Sequence, residues 1–345
     1  MGKLKTSRRG FVTMAGAAAA VTALPKRSAA AGRVVVATWG GDNERAIRES
    51  AGVAIKQRES IDVVFDVGTP SARKTKLIAE SQRPRNNIDI IHLTDSDMFQ
   101  MRRQNFLAEL GPQNIRGYEK ILDQFKTNYS VPTNFSALVL VYNKNKISSM
   151  TSWKDLWRDE YAGKIGFTDL SYDKIVPITA ITFGGSASNY EPAYDALLDL
   201  KRKGVRVYPS NEACGNAFAS EEIIAAIQWK GRAYQWAQAG LPLAYTIPKE
   251  GAFPTSFDMG ITRNSGSPQQ AAAFLSMMLE PASQLALAKA IGQAPVIRDS
   301  GLPAELEQTV GFTEKERGSF IALDHAYAAD NASKLLDWWN QKFKA

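Results

Sequence analysis

The side chains best suited to bond-making chemistry are few in this chain and far apart. His92 and His325 are the only histidines, and neither stands in a zinc-binding spacing such as H-E-x-x-H. Cys214 is the only cysteine, which excludes an internal disulfide and makes a cysteine-based metal site improbable. The sequence therefore predicts no catalytic residues, no metal and no cofactor.

Sequence motifs of common enzyme classes are also missing. The chain contains no G-x-S-x-G elbow, no G-x-G-x-x-G after a strand and no G-x-x-x-x-G-K-[ST] loop. Acyl transfer, dinucleotide binding and NTP hydrolysis thus lack their usual residues. We therefore expect that the protein is not an enzyme. A carboxylate-dependent enzyme stays the alternative, because paired carboxylates have no characteristic spacing in a sequence.

Residues 1–31 have the three parts of an export signal. A basic stretch is followed by an apolar run over residues 11–24 and by three alanines at 29–31. The run is shorter than the roughly 20 residues that a helix needs to cross a bilayer. Residues 7–12, S-R-R-G-F-V, resemble a twin-arginine signal. We predict cleavage near Ala31 and a soluble periplasmic protein.

The charge balance changes when this segment is set aside. Six of the 42 basic residues lie in residues 1–31, which contain no acid, so 36 basic residues face 35 acidic ones in the remainder. A nearly neutral protein does not fit nucleic acid as a partner. Residues 32–345 exceed the size that one core usually serves, so two lobes are expected.

Short apolar runs alternate with helical patterns along the chain, which is typical of a parallel α/β sheet. The first part has predicted strands at 34–38, 61–66 and 88–93 and predicted helices at 43–58 and 72–81. The second part has predicted strands at 138–142, 164–167, 205–208 and 243–247 and a helix at 191–203. A strand at 258–262 and helices at 268–279, 282–291 and 331–342 complete the prediction.

Two extended segments connect these parts. The proline-containing segment 129–134 reads as the first crossing and a natural hinge, and 248–251 as the return. The predicted lobes are 33–133 plus 252–300 and 134–251 plus 301–345.

Several segments carry a resemblance to the periplasmic spermidine/putrescine-binding protein family, the extracellular solute-binding proteins of ABC transporters. The matching residues are Trp39, Y-S-V-P at 129–132, T-S-W-K-D-L-W at 151–157, E-Y-A-G-K at 160–164, Trp229 with Gly231, Q-A-G at 238–240 and P-K-E-G at 248–251. The resemblance implies an α/β, two-lobed periplasmic-binding-protein fold that closes over its ligand at a hinge. It also implies permease subunits of an inner-membrane ABC importer as partners, and a monomer is expected.

The resemblance also implies how a ligand would be held. In such proteins aromatic walls flank the ligand and carboxylates meet its ammonium groups, which suits a desolvated cation. Trp39 and Trp229 stand at aromatic positions of the family and Asp258 at a carboxylate position. Further candidates are Asp95, Asp169, Tyr172 and Asp173.

Each of these residues also has an ordinary structural interpretation. The tryptophans could be core residues, Asp95 a helix cap, Asp173 a first-turn acid, Asp258 a turn residue and Tyr172 surface packing. Where the family places two acids in one helical turn, the first position is Leu170 here. The resemblance implies a polyamine such as putrescine or spermidine as the leading ligand, and the change at Leu170 leaves a zwitterionic amine as the alternative: an amino acid, an aminobutyrate or an opine. Lys174, Arg206 and Lys230 lie near the relevant loops and would suit a ligand carboxylate.

Overall fold

A continuous sheet runs through the protein, and helices cover it. The computed structural model describes residues 32–345, so the predicted export signal lies outside the described residues. Within that range the sheet has nine strands. They are β1 Gly32–Thr38, β2 Ile61–Val67, β3 Ile90–Thr94, β4 Val131–Asn143, β5 Ile165–Thr168, β6 Arg206–Tyr208, β7 Ala225–Trp229, β8 Leu243–Thr246 and β9 Phe253–Ile261.

Helices fill most of the intervals between the strands. The first, α1, continues through one π-helical stretch, Arg48–Gly52, into α2, so that the predicted helix at 43–58 is confirmed. The α-helices are α1 Asp42–Ile47, α2 Val53–Glu59, α3 Pro70–Glu80, α4 Asp95–Arg103, α5 Tyr172–Thr182, α6 Glu191–Arg202, α7 Asn211–Ala219, α8 Lys230–Gln238, α9 Pro268–Met278, α10 Pro281–Ile291, α11 Ala304–Val310, α12 Glu314–Gly318 and α13 His325–Trp338.

Two long antiparallel strands join two groups of parallel strands. The order across the sheet is β2-β1-β3-β9-β4-β7-β5-β6, and β8 also pairs with β4. The pairs of β1 with β2 and β3 are parallel, as are those of β5 with β6 and β7. Strands β4 and β9 pair with each other from Val131↔Met259 to Leu138↔Phe253. Every link between the two groups in the sheet therefore passes through β4 and β9.

The predicted crossings lie close to these two strands. Strand β4 begins inside the predicted segment 129–134, and all 13 of its residues are buried. Its first half pairs with β9 and its second half with β7 and β8. The segment 248–251, predicted as the return crossing, is a turn that precedes β9. The chain passes back to the first strand group along β9 itself.

Two large apolar cores pack against this sheet, and both include residues of β4. One contains Val34 and Ile90 of the first strand group. Helix α9 contributes Ala271, Phe274, Leu275 and Met278 to it, and these residues fall at i, i+3, i+4 and i+7 on one helix face. The other contains Leu138, Trp153 and Ile165, together with Leu335 and Trp339 near the carboxyl terminus. Leu336, the neighbour of Leu335, is 41% exposed, because it lies on the outer side of α13.

Helices α9 and α10 are both rich in apolar residues and follow each other directly in the sequence. No single helix within residues 32–345 is long and apolar enough to cross a membrane. The two helices meet the length and composition criteria only together, across a 68° bend. Several residues of each helix are buried inside the protein, as they are in an ordinary core helix.

Candidate ligand-binding site

A cavity of about 580 Å³ opens beside β4 and β9, where the two strand groups meet. Its lining comes from both predicted lobes. The residues are Trp39, Gly40, Asp42, Asn43, Pro70, Thr94, Ser136, Leu170, Ser171, Lys174, Asn211, Trp229, Gly231, Arg232, Gln235, Thr255, Phe257, Ala290, Ile291 and Gln293. We call this space the main cavity.

Trp39 enters the main cavity from the end of β1. Its ring is held edge-on by His92, with centroids 4.6 Å apart, and by Phe257 at 5.6 Å. The guanidinium of buried Arg73 lies 4.2 Å from the indole centroid and so fixes the ring further. His92 is bonded through Nδ1 to Thr38 and through Nε2 to Thr133, so it supports Trp39 from the core.

Trp229 enters the main cavity from the other strand group. It is the last residue of β7, opposite Leu138 of β4, and α8 starts at the next residue. Gly231, in the first turn of α8, lies against the backbone of Gly292, and a Cβ atom there would overlap the Gly292 carbonyl oxygen. This close approach holds the start of α8 beside the end of α10 and fixes where Trp229 stands.

Strand β9 presents alternate side chains to the main cavity. Thr255 and Phe257 line it. Asp258 is the next residue, so its side chain leaves the opposite face of the strand. It is 2% exposed and lies in the interior, where the Ser130 hydroxyl donates to Oδ2 over 2.7 Å. Asp258 therefore lines neither this cavity nor the smaller one described below.

Burial dominates the electrostatics of Asp258. It raises the pKa of this carboxyl to about 7; the hydrogen bond from Ser130 lowers the pKa, and the charge of Asp95 raises it. Oδ1 has no hydrogen-bond partner among the described residues. A carboxyl in this position is held closer to its neutral form than an ordinary aspartate.

A smaller cavity of about 230 Å³ shares Thr94 with the main cavity. Tyr172 and Asp173, both predicted ligand residues, line it at the start of α5 together with Asp97 of α4. Asp173 stands in the first turn of α5 and accepts a 2.8 Å hydrogen bond from Lys174 Nζ. Lys74 donates to Asp97, so both carboxylates of the smaller cavity already have a cationic partner.

Lys174 lines the main cavity, and its ammonium lies near several acids. Burial opposes its charge, but the neighbouring carboxylates, Asp173 first among them, outweigh burial and raise the pKa of Lys174. Asp95 is half-buried at the start of α4, where Ser96 N donates to Oδ1 over 2.7 Å. Burial raises the pKa of Asp95, against the charges of His325 and Lys174. Thr94, rather than Asp95, caps α4.

Asp169 is bonded to the carboxyl-terminal segment. Its Oδ1 accepts from Trp339 Nε1 over 2.7 Å and its Oδ2 from Lys344 Nζ over 2.8 Å. These contacts tie the segment after α13 to the end of β5. Its carboxylate is therefore occupied away from both cavities.

The three basic residues that the sequence suggested for a ligand carboxylate have different surroundings. Only Lys174 lines the main cavity. Arg206 pairs with Glu222 over 2.5 Å at the surface. Lys230 is buried, donates to the Gly311 carbonyl, and lies 4.3 Å from the ring centroid of Phe312 and 4.9 Å from that of Tyr245.

The structure thus brings some of the predicted site residues together. Trp39 and Trp229 share the main cavity, and Tyr172 and Asp173 share the smaller one. Asp95, Asp169 and Asp258 line neither. The sequence did not predict three further lining residues, Thr255, Phe257 and Arg232. A predicted strand that began at Phe253 would have indicated the first two, because side chains alternate between the two faces of a strand.

The fold and this cavity define a class of protein. The chain has the two-lobed α/β fold of periplasmic binding proteins. It superposes on an ABC transporter protein from Clostridium perfringens with a TM-score of 0.80 at 23% identity, covering 89% of this chain and 99% of that one. A GABA receptor gives a TM-score of 0.78 at 19% identity and coverages of 91% and 98%.

The chain belongs to the bacterial extracellular solute-binding protein family, whose model matches residues 55–314. Among its relatives is the spermidine/putrescine-binding periplasmic protein of Escherichia coli, 27% identical over 205 residues. That alignment covers 56% of this chain and 58% of the relative, so the chain spans somewhat over half the length of the curated relatives it matches.

Proposed function

We propose that this protein is the solute-binding receptor of an ABC importer and captures a small amine-bearing solute by hinge closure. The observation that carries the proposal is the main cavity, which Trp39 and Trp229 line from opposite strand groups. Its volume of about 580 Å³ falls within the range of about 300–1,000 Å³ that is usual for small-molecule pockets.

The indole walls suit a cationic ligand. An ammonium group over the face of a tryptophan gains about 0.5–2 kcal/mol, the more so where water is excluded. The names of the spermidine/putrescine-binding relatives favour a polyamine such as putrescine or spermidine. A zwitterionic amine is the second candidate, because Lys174 lines the main cavity and the fold is shared with a GABA receptor.

Closure would move the predicted lobes, 33–133 plus 252–300 and 134–251 plus 301–345, about β4 and β9. Contacts between α4 and α13 join the same two parts: Arg103 pairs with Asp330 over 2.7 Å, and Phe99 stacks on His325 at 5.5 Å. A ligand shifts this equilibrium only if it binds the closed form more tightly than the open one. Residues from both parts line the main cavity, which gives the closed form that advantage.

The proposal includes the cellular setting that the sequence predicted. The protein would be exported through the predicted twin-arginine-like signal, act in the periplasm as a monomer and deliver its solute to the permease subunits of the importer. It would have no catalytic role. A carboxylate-dependent enzyme is the competing class, and hydrolysis or turnover of a bound solute would identify it.

A thermal-shift screen of the purified protein tests the receptor function. Diamines and polyamines, amino acids, aminobutyrates and opines are added separately, and a binding solute at one hundred times its Kd should stabilise the protein by about 2.7 kcal/mol. Mass spectrometry of the gently purified protein gives an independent readout through any retained solute. If no solute of these classes raises the melting temperature, the receptor proposal fails.

Replacing Trp229 by alanine should weaken binding of the solute found in that screen by about tenfold, because one aromatic wall of the cavity is lost. Trp338→Ala is the matched control, since Trp338 is also half-buried but packs on Tyr194 outside the cavity. Isothermal titration calorimetry measures both variants. Equal affinities for Trp229→Ala and the native protein would remove Trp229 from the site.

A further inference from the structure

Two helices begin at the main cavity without a side-chain cap. No side chain hydrogen-bonds the first backbone N–H groups of α5, which has 11 residues, or of α8, which has nine. Ser171 and Lys174 at the start of α5, and Gly231 and Arg232 at the start of α8, line the cavity. Tyr172 N, the first N–H of α5, donates to Asp169 O of the preceding turn. The positive ends of the two helix dipoles at these starts attract an anionic group.

The charged side chains of the lining have the same sign as these helix ends. Lys174 is 7% exposed, and Asp173 is its one hydrogen-bond acceptor within residues 32–345, so two of its three N–H donors are unused. Arg232 donates to Gln235 over 3.1 Å through Nη1, and its Nη2 lies 3.5 Å from Glu212 Oε1, a carboxylate outside the cavity. The acidic residue of the lining, Asp42, is 57% exposed and already paired with Arg45 over 2.7 Å.

Thr255 supplies a separate observation. Its side chain lines the main cavity and is only 1% exposed, yet its hydroxyl has no hydrogen-bond partner among the described residues. A buried hydroxyl without a partner costs about 1–3 kcal/mol, so it is normally satisfied by a ligand or another polar group. This hydroxyl can donate to an anionic oxygen in the cavity.

The acids that a diamine would need are engaged elsewhere. Asp173 and Asp97 line the smaller cavity and are held by Lys174 and Lys74. Asp258 leaves the opposite face of β9 from Thr255. An ammonium group placed between Lys174 and Arg232 would therefore meet like charges in a partly desolvated space.

We propose that the main cavity binds a carboxylate group of the solute between the amino-terminal ends of α5 and α8, with Lys174, Arg232 and Thr255 as side-chain donors. The solute is then a zwitterion of the amino-acid or aminobutyrate kind and not a simple diamine. This inference rests on the proposed receptor function and names the chemical class of its ligand.

Matched probes separate the ligand classes. Putrescine, 4-aminobutyrate and 4-amino-1-butanol share a four-carbon chain and one ammonium group and differ only at the other end; shorter and longer members of each series cover the ligand length. Calorimetry should show the amino acids binding at least about tenfold more tightly than the diamines and amino alcohols of equal length. A diamine that binds more tightly than its amino acid overturns this inference and leaves the receptor function standing. Binding of no member of any series counts against the receptor function itself.

Thr255→Val tests the site with little risk to folding, because the new methyl group replaces an unpartnered hydroxyl. The variant should melt at or above the melting temperature of the native protein and bind the amino acid several-fold more weakly.

The Lys174→Met variant should bind the amino acid about tenfold or more weakly than the native protein does, and should bind the diamine more tightly. Lys164→Met is the control, since Lys164 is exposed and outside the cavity. Unchanged amino-acid affinity in Thr255→Val and Lys174→Met would refute the proposed carboxylate site.

Discussion

Replacing Asp258 by asparagine should stabilise the protein increasingly as the pH rises. Folding raises the pKa of this carboxyl to about 7 from the 3.8 of an ordinary aspartate, chiefly through burial. Between these two values the folded state holds the proton more tightly than the unfolded state. The stability that the protonated Asp258 carboxyl contributes is therefore complete below about pH 4 and is lost as the pH rises through 7.

The size of this effect follows from the shift. About three pKa units correspond to about 4 kcal/mol, so the free energy of unfolding of Asp258→Asn relative to the native protein should grow by up to about that amount from pH 4 to pH 8. Urea denaturation at several pH values measures this difference. The comparison cancels the titration of all other groups, and any fixed cost of the asparagine amide appears as a constant offset.

Asp42→Asn provides the control, because it makes the same chemical change at a side chain that is 57% exposed. Its stability difference from the native protein should stay within about 0.5 kcal/mol across the same pH range. A difference for Asp258→Asn that is equally flat would show that burial does not hold this carboxyl near its neutral form.

Ligand affinity in Asp258→Asn answers a second question. The sequence resemblance placed Asp258 among the ligand residues, whereas in the structure its side chain is buried beside Ser130 and lines neither cavity. Weaker binding would show that the carboxyl acts on the solute, through closure or directly. Unchanged binding would assign Asp258 to the interior alone.

The fold could be predicted from the sequence because its elements carry strong local signals. Runs of β-branched residues such as Val34 to Val36 mark the strands, and the spacing of Ala271, Phe274 and Met278 marks the buried face of α9. Strand β7 was missed, because its sequence A-A-I-Q-W starts with two alanines, which are depleted in strands, and has no run of β-branched residues. It is a strand because β4 and β5 pair with it on both sides, which is a tertiary effect.

The two tryptophans of the main cavity could be named from the sequence for different reasons: Trp39 ends a recognisable strand, whereas Trp229 was named from the family resemblance although its strand was missed. Trp39 directly follows the strand β1 and lines the main cavity, and its role in ligand binding stays a prediction. Asp258 illustrates the opposite case. Starting the strand at 258 instead of Phe253 hid the alternation that turns Thr255 and Phe257 toward the cavity.

Lys174 could be named from the sequence but its role could not be assigned. Its position near the loops is evident from the chain, yet its burial and its bond to Asp173 depend on how α5 packs beside α4. The sequence also does not show that α5 and α8 start without a side-chain cap, since this is visible only when the partners of the first N–H groups are known.

Lys230 should make the protein more stable as the pH rises from about 8 to about 10.5. Its ammonium is buried among Tyr245, Phe312 and the Gly311 carbonyl, and burial lowers its pKa to about 8 from 10.5. In this interval the unfolded state binds the proton more tightly, so unfolding takes up a proton that a rising pH makes less available. The stabilisation is complete above about pH 10.5 and lost as the pH falls through about 8.

Lys230→Met removes this dependence, because the thioether fills similar space and carries no charge. The native protein should gain about 3 kcal/mol relative to the variant between pH 8 and pH 10.5 in urea denaturation, and Lys164→Met, an exposed change, should not alter the pH profile. A parallel profile for Lys230→Met and the native protein would mean that Lys230 keeps an ordinary pKa. Lys230 joins the start of α8 to the segment after α11 through its bond to Gly311. A pH profile that differs between the native protein and Lys230→Met would therefore also mean that this contact is made at the cost of burying a charge.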